Sequence, residues 1–483
     1  MINKSIKLNA SLNIVRSCLA IFFQLATLPY VSRVLGVDNV GKINFGLSII
    51  SYFSLLSLLG VNIYVEREGA KFREDSGKFQ RLGNEVFSLQ MITTMLAYVV
   101  LLLFLYFSPS LKEYRLLILI QSLTILFTTL GIEWVNIIYE DYFSITLRTI
   151  IVYVFSFILT FTIVKSPNDY YLYSLISVAS TIFIAVFNQI HCRKYFTPKL
   201  VFTRDIVRHF KSSLVFFVNN LAISIYVNID VTMLGSIGGT YSVGIYSSAV
   251  KIYSILKSIL AALYIVVIAR LSFYASTNDF ANFKKLFTSI INWLILILLP
   301  IASGLFIVAR EVVYILYGSS YASASITLQI LSISLVFAIF GGVLTNCLNI
   351  PLGREKVNVY STVTAAVVNT ILNFIMIPLF RENGAAFTTV LAEFSVFMIV
   401  LISFKEWKKV IVAVEVKRNL LDAILGIFLM FIVNHVVFSY FEFNILFTLM
   451  IKIFLSVFSY FSTLIFRKNK EIRTIFATMV LKK

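Results

Sequence analysis

The stretch YVSRVLGVDNVGKINFG, Tyr30–Gly46, ends one long apolar run and starts another within a few residues. Gly36 and Gly41 frame Asp38 and Asn39, with Arg33 and Lys42 on the flanks. Glycine opens backbone conformations closed to other residues, and Asp and Asn side chains bond their own backbone in turns. The stretch therefore predicts a tight turn between two helices. A second stretch, TMLGSIGGTYSVGIYS at Thr232–Ser247, repeats the order Leu-Gly, short polar turn, Val-Gly. Its turn is longer, but six apolar runs separate the copies. That spacing predicts two six-helix lobes arranged in parallel, with two further helices after them. Gly235 and Gly244 then mark in the second lobe what Gly36 and Gly41 mark in the first, and Arg33 sits beside the first of these two outer hinges or gate turns.

Composition sets the class. Of 483 residues, 59% are hydrophobic and 13% charged, with mean hydropathy +0.91, whereas soluble domains carry about 25% charged residues. A soluble fold is excluded. The net charge of +18 would suggest nucleic acid in a soluble chain, but in a membrane chain its distribution decides its meaning. Cys18, Cys192 and Cys347 stand alone, with no metal-ligand spacing and no disulfide framework. The apolar run after MINKSIKL has no small-residue cleavage site and continues to Tyr30, so the first helix reads as retained rather than as a signal peptide.

A span needs about 20 mostly apolar residues. Fourteen runs qualify, near 10–32, 42–65, 85–107, 115–139, 143–164, 171–191, 210–234, 242–269, 287–309, 323–349, 357–379, 384–404, 419–440 and 445–466. With both termini cytoplasmic, the inside segments hold 29 of the 41 Lys and Arg residues. This asymmetry orients the chain, and each basic loop is first a topology signal and second a contact for anionic lipid. The expected fold is an all-α polytopic membrane protein of about fourteen transmembrane helices. Two pseudo-symmetric six-helix lobes, residues 1–200 and 201–409, would surround a central cavity. Residues 410–483 would add two helices and a basic cytoplasmic tail.

Six motifs carry a resemblance. LPYVSRVLGVDNVGKINF, YVEREGAKF, GIEWVNIIYEDYFSITLR, NIDVTMLGSIGGTYSVGIYSSAVKI, LYGSSYASASITLQIL and NFIMIPLFRENGAAFTTVLAE occur in that order over about residues 8–405. Together they resemble Wzx-type polysaccharide flippases of the multidrug/oligosaccharidyl-lipid/polysaccharide exporter superfamily. Two departures stand out. IVVIARLS at Ile265–Ser272 lacks a proline common near the end of span 8, and Asn136–Ile137 stands where Gly is common.

Charges inside the spans point to the chemistry, because a charge at the bilayer centre costs about 2.5–3.5 kcal/mol and is retained where it faces a wet interior. Arg16, Arg148, Lys251, Lys257 and Lys452 lie within spans, opposed by Glu133, Asp230 and Glu393. That balance suits an anion better than a cationic drug. At 100° per residue, Asn13, Arg16, Ser17, Ala20, Gln24 and Thr27 share one face of span 1. In span 8 Lys251 lies on a serine stripe, and Lys257 shares the next stripe with Tyr246, Tyr253 and Tyr264. In span 7 Asn219, Tyr226 and Asp230 align. Cations with hydroxyls and aromatic faces suit a phosphate beside sugar rings. Structural alternatives stand beside each reading. Arg16 and Lys452 could snorkel to the interface, Arg148 could be an anchor, and Lys251 could pair with Asp230 or Glu133. Asp230 and Glu393 are either ion-coupling residues or structural partners.

The three histidines are scattered, and no phosphate-binding glycine loop or other catalytic constellation is visible. The resemblance implies a transporter rather than an enzyme, working without a cofactor as a monomer in the bacterial cytoplasmic (inner) membrane. It would flip undecaprenyl-pyrophosphate-linked oligosaccharide by alternating access for surface polysaccharide assembly. Arg16, Lys251 and Lys257 would hold the pyrophosphate, and Gln24, Arg148, Asn219, Tyr226 and Tyr253 would line the substrate path. Membrane lipids and a polysaccharide polymerase complex are the further expected partners, with no nucleic acid. The rival readings are a multidrug or cation extruder of the same superfamily and an integral-membrane polysaccharide polymerase or ligase.

Overall fold

In a hydrocarbon environment the backbone must satisfy its own hydrogen bonds, so long apolar runs become helices. The computed structural model describes residues 6–441 and 443–473, and no strand occurs among them. The end of the basic tail, residues 474–483, lies outside the described residues.

Among the described residues, eleven stretches are long and apolar enough to cross a membrane. Two of them each contain two spans. In Ile6–Leu58 the helix breaks at Gly36 (φ 77°, ψ 171°), and in Glu355–Ser403 it breaks at Arg381 (φ 48°, ψ −126°). With Asp205–Ile237, a helix of 33 residues, the total reaches the expected fourteen. The protein is a multi-pass, all-α membrane protein. The chain forms two compact units, Met1–Gly244 and Ile245–Lys483.

The first unit contains α1 (Ile6–Leu58), α2 (Val61–Ala70), α3 (Ser76–Phe107), α4 (Arg115–Leu130), α5 (Glu133–Ile138), α6 (Tyr142–Ile163), α7 (Tyr170–Cys192) and α8 (Asp205–Ile237). The long α1 packs against α3, α4, α6 and α8. Helices in lipid gain little from burying apolar surface against one another, so small residues and interhelical hydrogen bonds hold them. Ser57 of α1, Thr94 of α3 and Thr129 of α4 form such a buried hydroxyl triangle, with Oγ separations of 2.6, 3.2 and 2.8 Å. On α3, Ala97, Leu101 and Leu105 face inward, while Met95, Leu96, Leu102 and Leu103 remain exposed on the other side. That outward apolar face is what a lipid-facing helix requires.

The second unit contains α9 (Thr240–Ile265, whose first turn belongs to the first unit), α10 (Ile268–Ser276), α11 (Phe280–Tyr317), α12 (Ala324–Val343), α13 (Glu355–Ser403), α14 (Trp407–Val410), α15 (Ala413–Tyr440) and α16 (Ile445–Phe466). Here α11 is the hub, packing on α12, α15 and α16. A π-helical turn at Leu344–Asn349 follows α12 and redirects the chain toward α13. The last two helices are fixed to α11. Tyr460 donates to the Leu296 carbonyl at 3.0 Å, and Gly426 of α15 lets the Tyr460 ring approach.

Candidate functional site

The first unit brings two of the expected cations onto one carboxylate. Arg148 Nη2 lies 3.2 Å and Arg16 Nη1 3.7 Å from the same oxygen, Glu133 Oε1. Glu133 opens the six-residue α5, directly after Ile132 in left-handed backbone conformation (φ 40°). The side chain of Arg148 is only 1% exposed, whereas that of Glu133 is 46% exposed. One carboxylate thus faces two guanidinium groups, with Glu66 within electrostatic reach of Glu133 and Asp141 within reach of Arg148. Among the described residues, Arg148 Nε and Nη1 are buried without a hydrogen-bond partner. Beside them Asn136 donates to Asn188 Oδ1 at 2.9 Å and accepts from Cys192 Sγ at 3.3 Å. Asp141, just before α6, accepts from Lys194 at 3.1 Å and contacts His191 Nε2 at 2.9 Å. Burial opposes the Lys194 charge, but its hydrogen bonds and the field of Asp141 hold its pKa above the usual lysine value.

In the second unit Lys257 Nζ donates to Glu393 Oε1 at 2.6 Å and stands over the Tyr253 ring at 5.5 Å. The Tyr253 hydroxyl donates to the same carboxylate oxygen at 3.4 Å. Lys257 and Glu393 therefore form a closed ion pair with Tyr253 at its side. Lys251, half-buried one and a half turns earlier on α9, has no ion-pair partner among the described residues of this unit. Lys452 does not snorkel. Its ammonium bonds Glu311 Oε1 at 2.9 Å and sits over the Phe438 ring at 5.2 Å.

The other expected positions are dispersed. Gln24 is exposed on α1. Tyr226 and Asp230 lie one turn apart on α8, and Asp230, 5% exposed, is within electrostatic reach of Tyr52. The Asn219 side chain lies outside the described residues. Arg33 is exposed one turn before the break in α1. Of the four marked glycines, only Gly36 has positive φ, while Gly239 (φ 84°) turns the chain between α8 and α9. The other three permit close packing. A Cβ on Gly41 would fall 1.8 Å from the Thr240 carbonyl oxygen, and one on Gly244 would fall 2.1 Å from that of Val37. On Gly235 it would meet the Phe45 ring at 2.1 Å. Thr240 also donates to Asp38, and Lys42 pairs with Asp38 and Glu113, each at 3.2 Å. Asn39 donates to the Leu35 and Pro167 carbonyls.

Two buried charge systems escaped the sequence reading. Glu311 lies inside α11 because that helix runs to Tyr317, beyond the expected end of the span. His209, expected in a loop, is in the second turn of α8 and 7% exposed. Its Nε2 meets Glu85 Oε2 at 3.0 Å, and its Nδ1 meets the Tyr64 hydroxyl at 2.7 Å. The available signal was Glu85, the first residue of the expected third span, which would need a partner once buried.

Apolar spans tied by buried ion pairs fit a membrane transporter, and two family matches set its class as the multidrug/oligosaccharidyl-lipid/polysaccharide exporter superfamily. Residues 7–274, more than half the chain, match the family described as "Polysaccharide biosynthesis protein", and residues 216–375 match the MatE family. The chain belongs to the polysaccharide biosynthesis protein family. It is similar to a putative O-antigen transporter of Shigella dysenteriae, 25% identical over 392 residues covering 80% of this chain and 96% of that protein. An uncharacterized membrane protein of Methanocaldococcus jannaschii is 23% identical over 77% of this chain and 80% of its own length. The lipid II flippase MurJ has a similar fold, with TM-score 0.72 over 95% of this chain and 99% of its own, at 16% identity. An inward-facing multidrug resistance MATE transporter follows at TM-score 0.61, with 14% identity over 79% of this chain and 92% of its own.

Proposed function

We propose that the protein flips an undecaprenyl-pyrophosphate-linked oligosaccharide from the cytoplasmic to the outer leaflet by alternating access, for surface polysaccharide assembly. The observation that carries this reading is the buried guanidinium of Arg148, which shares Glu133 with Arg16 and keeps two unpartnered donors. A pyrophosphate needs several cations to leave water, yet must also be released. A carboxylate shared between two arginines, and a lysine already paired with Glu393, moderate the attraction rather than maximise it. The family match and the likeness to a putative O-antigen transporter support the substrate class. Lys251 supplies a cation with no ion-pair partner among the described residues of its unit, and Tyr253 would become available to sugar only once the Lys257–Glu393 pair opens.

The MatE match over residues 216–375 gives the cation-extruder reading its one specific support. Against it, Glu393, the carboxylate a cationic drug would seek, is already occupied by Lys257. The test is translocation of a fluorescent lipid-linked repeat in proteoliposomes. Lys251→Ala with Lys257→Ala should slow flipping at least about tenfold, as the loss of one charge-assisted hydrogen bond implies. Flipping at the wild-type rate would refute the cationic path, and ethidium export without lipid flipping would establish the extruder.

A further inference from the structure

We propose that the second unit carries a built site for a resident bilayer phospholipid with an anionic headgroup, centred on Arg354. This goes beyond the transport reading and does not depend on it. Arg354 sits between the π-helical turn and α13. Its Nη2 donates to the Ser403 carbonyl at 2.7 Å and the Ser403 hydroxyl at 3.3 Å. Its guanidinium lies over the Phe404 ring at 5.0 Å. The side chain is thus held along one edge by Ser403 and across one face by Phe404, while Nη1 is buried with no hydrogen-bond partner among the described residues. A preorganised guanidinium with one vacant donor is built to receive an oxyanion.

Two adjoining cavities give that oxyanion its character. A cavity of about 410 Å³ is lined by Arg354, Lys405 and Lys409, with Glu406. Glu406 is taken by Lys409 at 3.0 Å, which leaves Arg354 and Lys405 as the net positive lining. Ser403 also lines the second cavity, an apolar groove of about 630 Å³ between the two halves of α13. Its walls include Tyr360, Phe394, Met398 and Ile402, and Lys356 stands at its rim. From Lys356 to Thr364 the groove follows α13 for about 12 Å at 1.5 Å per residue. A basic head pocket that opens into an apolar groove is complementary to a phosphate carried on an acyl chain. The loop bearing Lys405, Lys408 and Lys409 belongs to the side that the Lys and Arg asymmetry assigns to the cytoplasm, where anionic lipid meets basic pockets between helices.

The experiment is native mass spectrometry of the full-length protein in detergent, titrated with phosphatidylglycerol or phosphatidylcholine of identical acyl chains. The wild type should bind phosphatidylglycerol more tightly, by about fivefold for each basic side chain that faces the headgroup. Arg354→Gln should cut that preference about fivefold, and Met398→Trp, which fills the groove, should weaken both lipids. Because Arg354 also ties Ser403, Lys405→Gln with Lys356→Gln provides a second variant on exposed side chains, with an expected loss of preference of about fivefold for each lysine that faces the headgroup. Equal binding of the two lipids by the wild type, or an unchanged preference in both charge variants, would overturn the site. Displacement of phosphatidylglycerol by equimolar undecaprenyl phosphate would overturn the resident lipid as its occupant.

Discussion

At the scale of single residues, the placement of the cations matters more than their number. Arg16 and Arg148 stand 132 positions apart in the chain, yet share one carboxylate oxygen of Glu133. Replacing that oxygen by an amide leaves a buried guanidinium without its counter-charge. Glu133→Gln should therefore lower thermal stability in detergent by about 1–3 kcal/mol. Adding Arg148→Gln should restore stability but not flipping, because the cation required for the anion is then gone. If the double variant recovered both, Arg148 would be structural only. The sequence showed that Arg148 lay near the start of a span, but not that it was wholly buried, since anchor and site residues share one signature there. Lys257 differs. Its stripe with Tyr253 was readable from helical periodicity, and the two side chains do meet, but the Glu393 that closes the group comes 136 residues later.

At the scale of helices, the pattern of apolar runs was legible almost throughout, and both helix breaks fall between spans that the sequence had separated, though their causes differ. The break at Gly36 follows from the residue type. That at Arg381 does not, because arginine carries no turn signal, and the neighbouring Pro378 and the close approach of Gly384 to the Met376 carbonyl locate it instead. Ion pairs between helices were not legible, since nothing local links Lys452 to a carboxylate 141 residues away. That pair fastens α16 to α11 with both side chains largely buried, at 17% and 6% exposure. Removing one partner of a buried pair costs about 3–5 kcal/mol, while removing both charges together costs far less. Lys452→Met should thus depress the melting temperature of the purified protein sharply, and Lys452→Met with Glu311→Gln should recover most of the loss. A single variant as stable as wild type would show that the Lys452–Glu311 pair does not fasten the last helices to α11.

At the scale of the whole molecule, the expected orientation rests on charge. The Lys and Arg asymmetry predicts Lys78 on the cytoplasmic side and Lys112 outside, and both side chains are exposed. Of the three cysteines only Cys18 is exposed. In a Cys18→Ser background, a membrane-impermeant maleimide should label Lys112→Cys on intact cells and Lys78→Cys only after permeabilisation. The reverse pattern would invert the topology and with it the direction of transport.

The break in α1 has a stereochemical consequence. Around Gly36 there is room, since an added Cβ would meet nothing within 4 Å. Yet its dihedrals, φ 77° and ψ 171°, are the mirror image of an extended conformation open to any L-residue. Gly41, five positions on, is needed because it is small. Gly36 is needed because it is achiral, so the join between the first two spans rests on handedness and not on space.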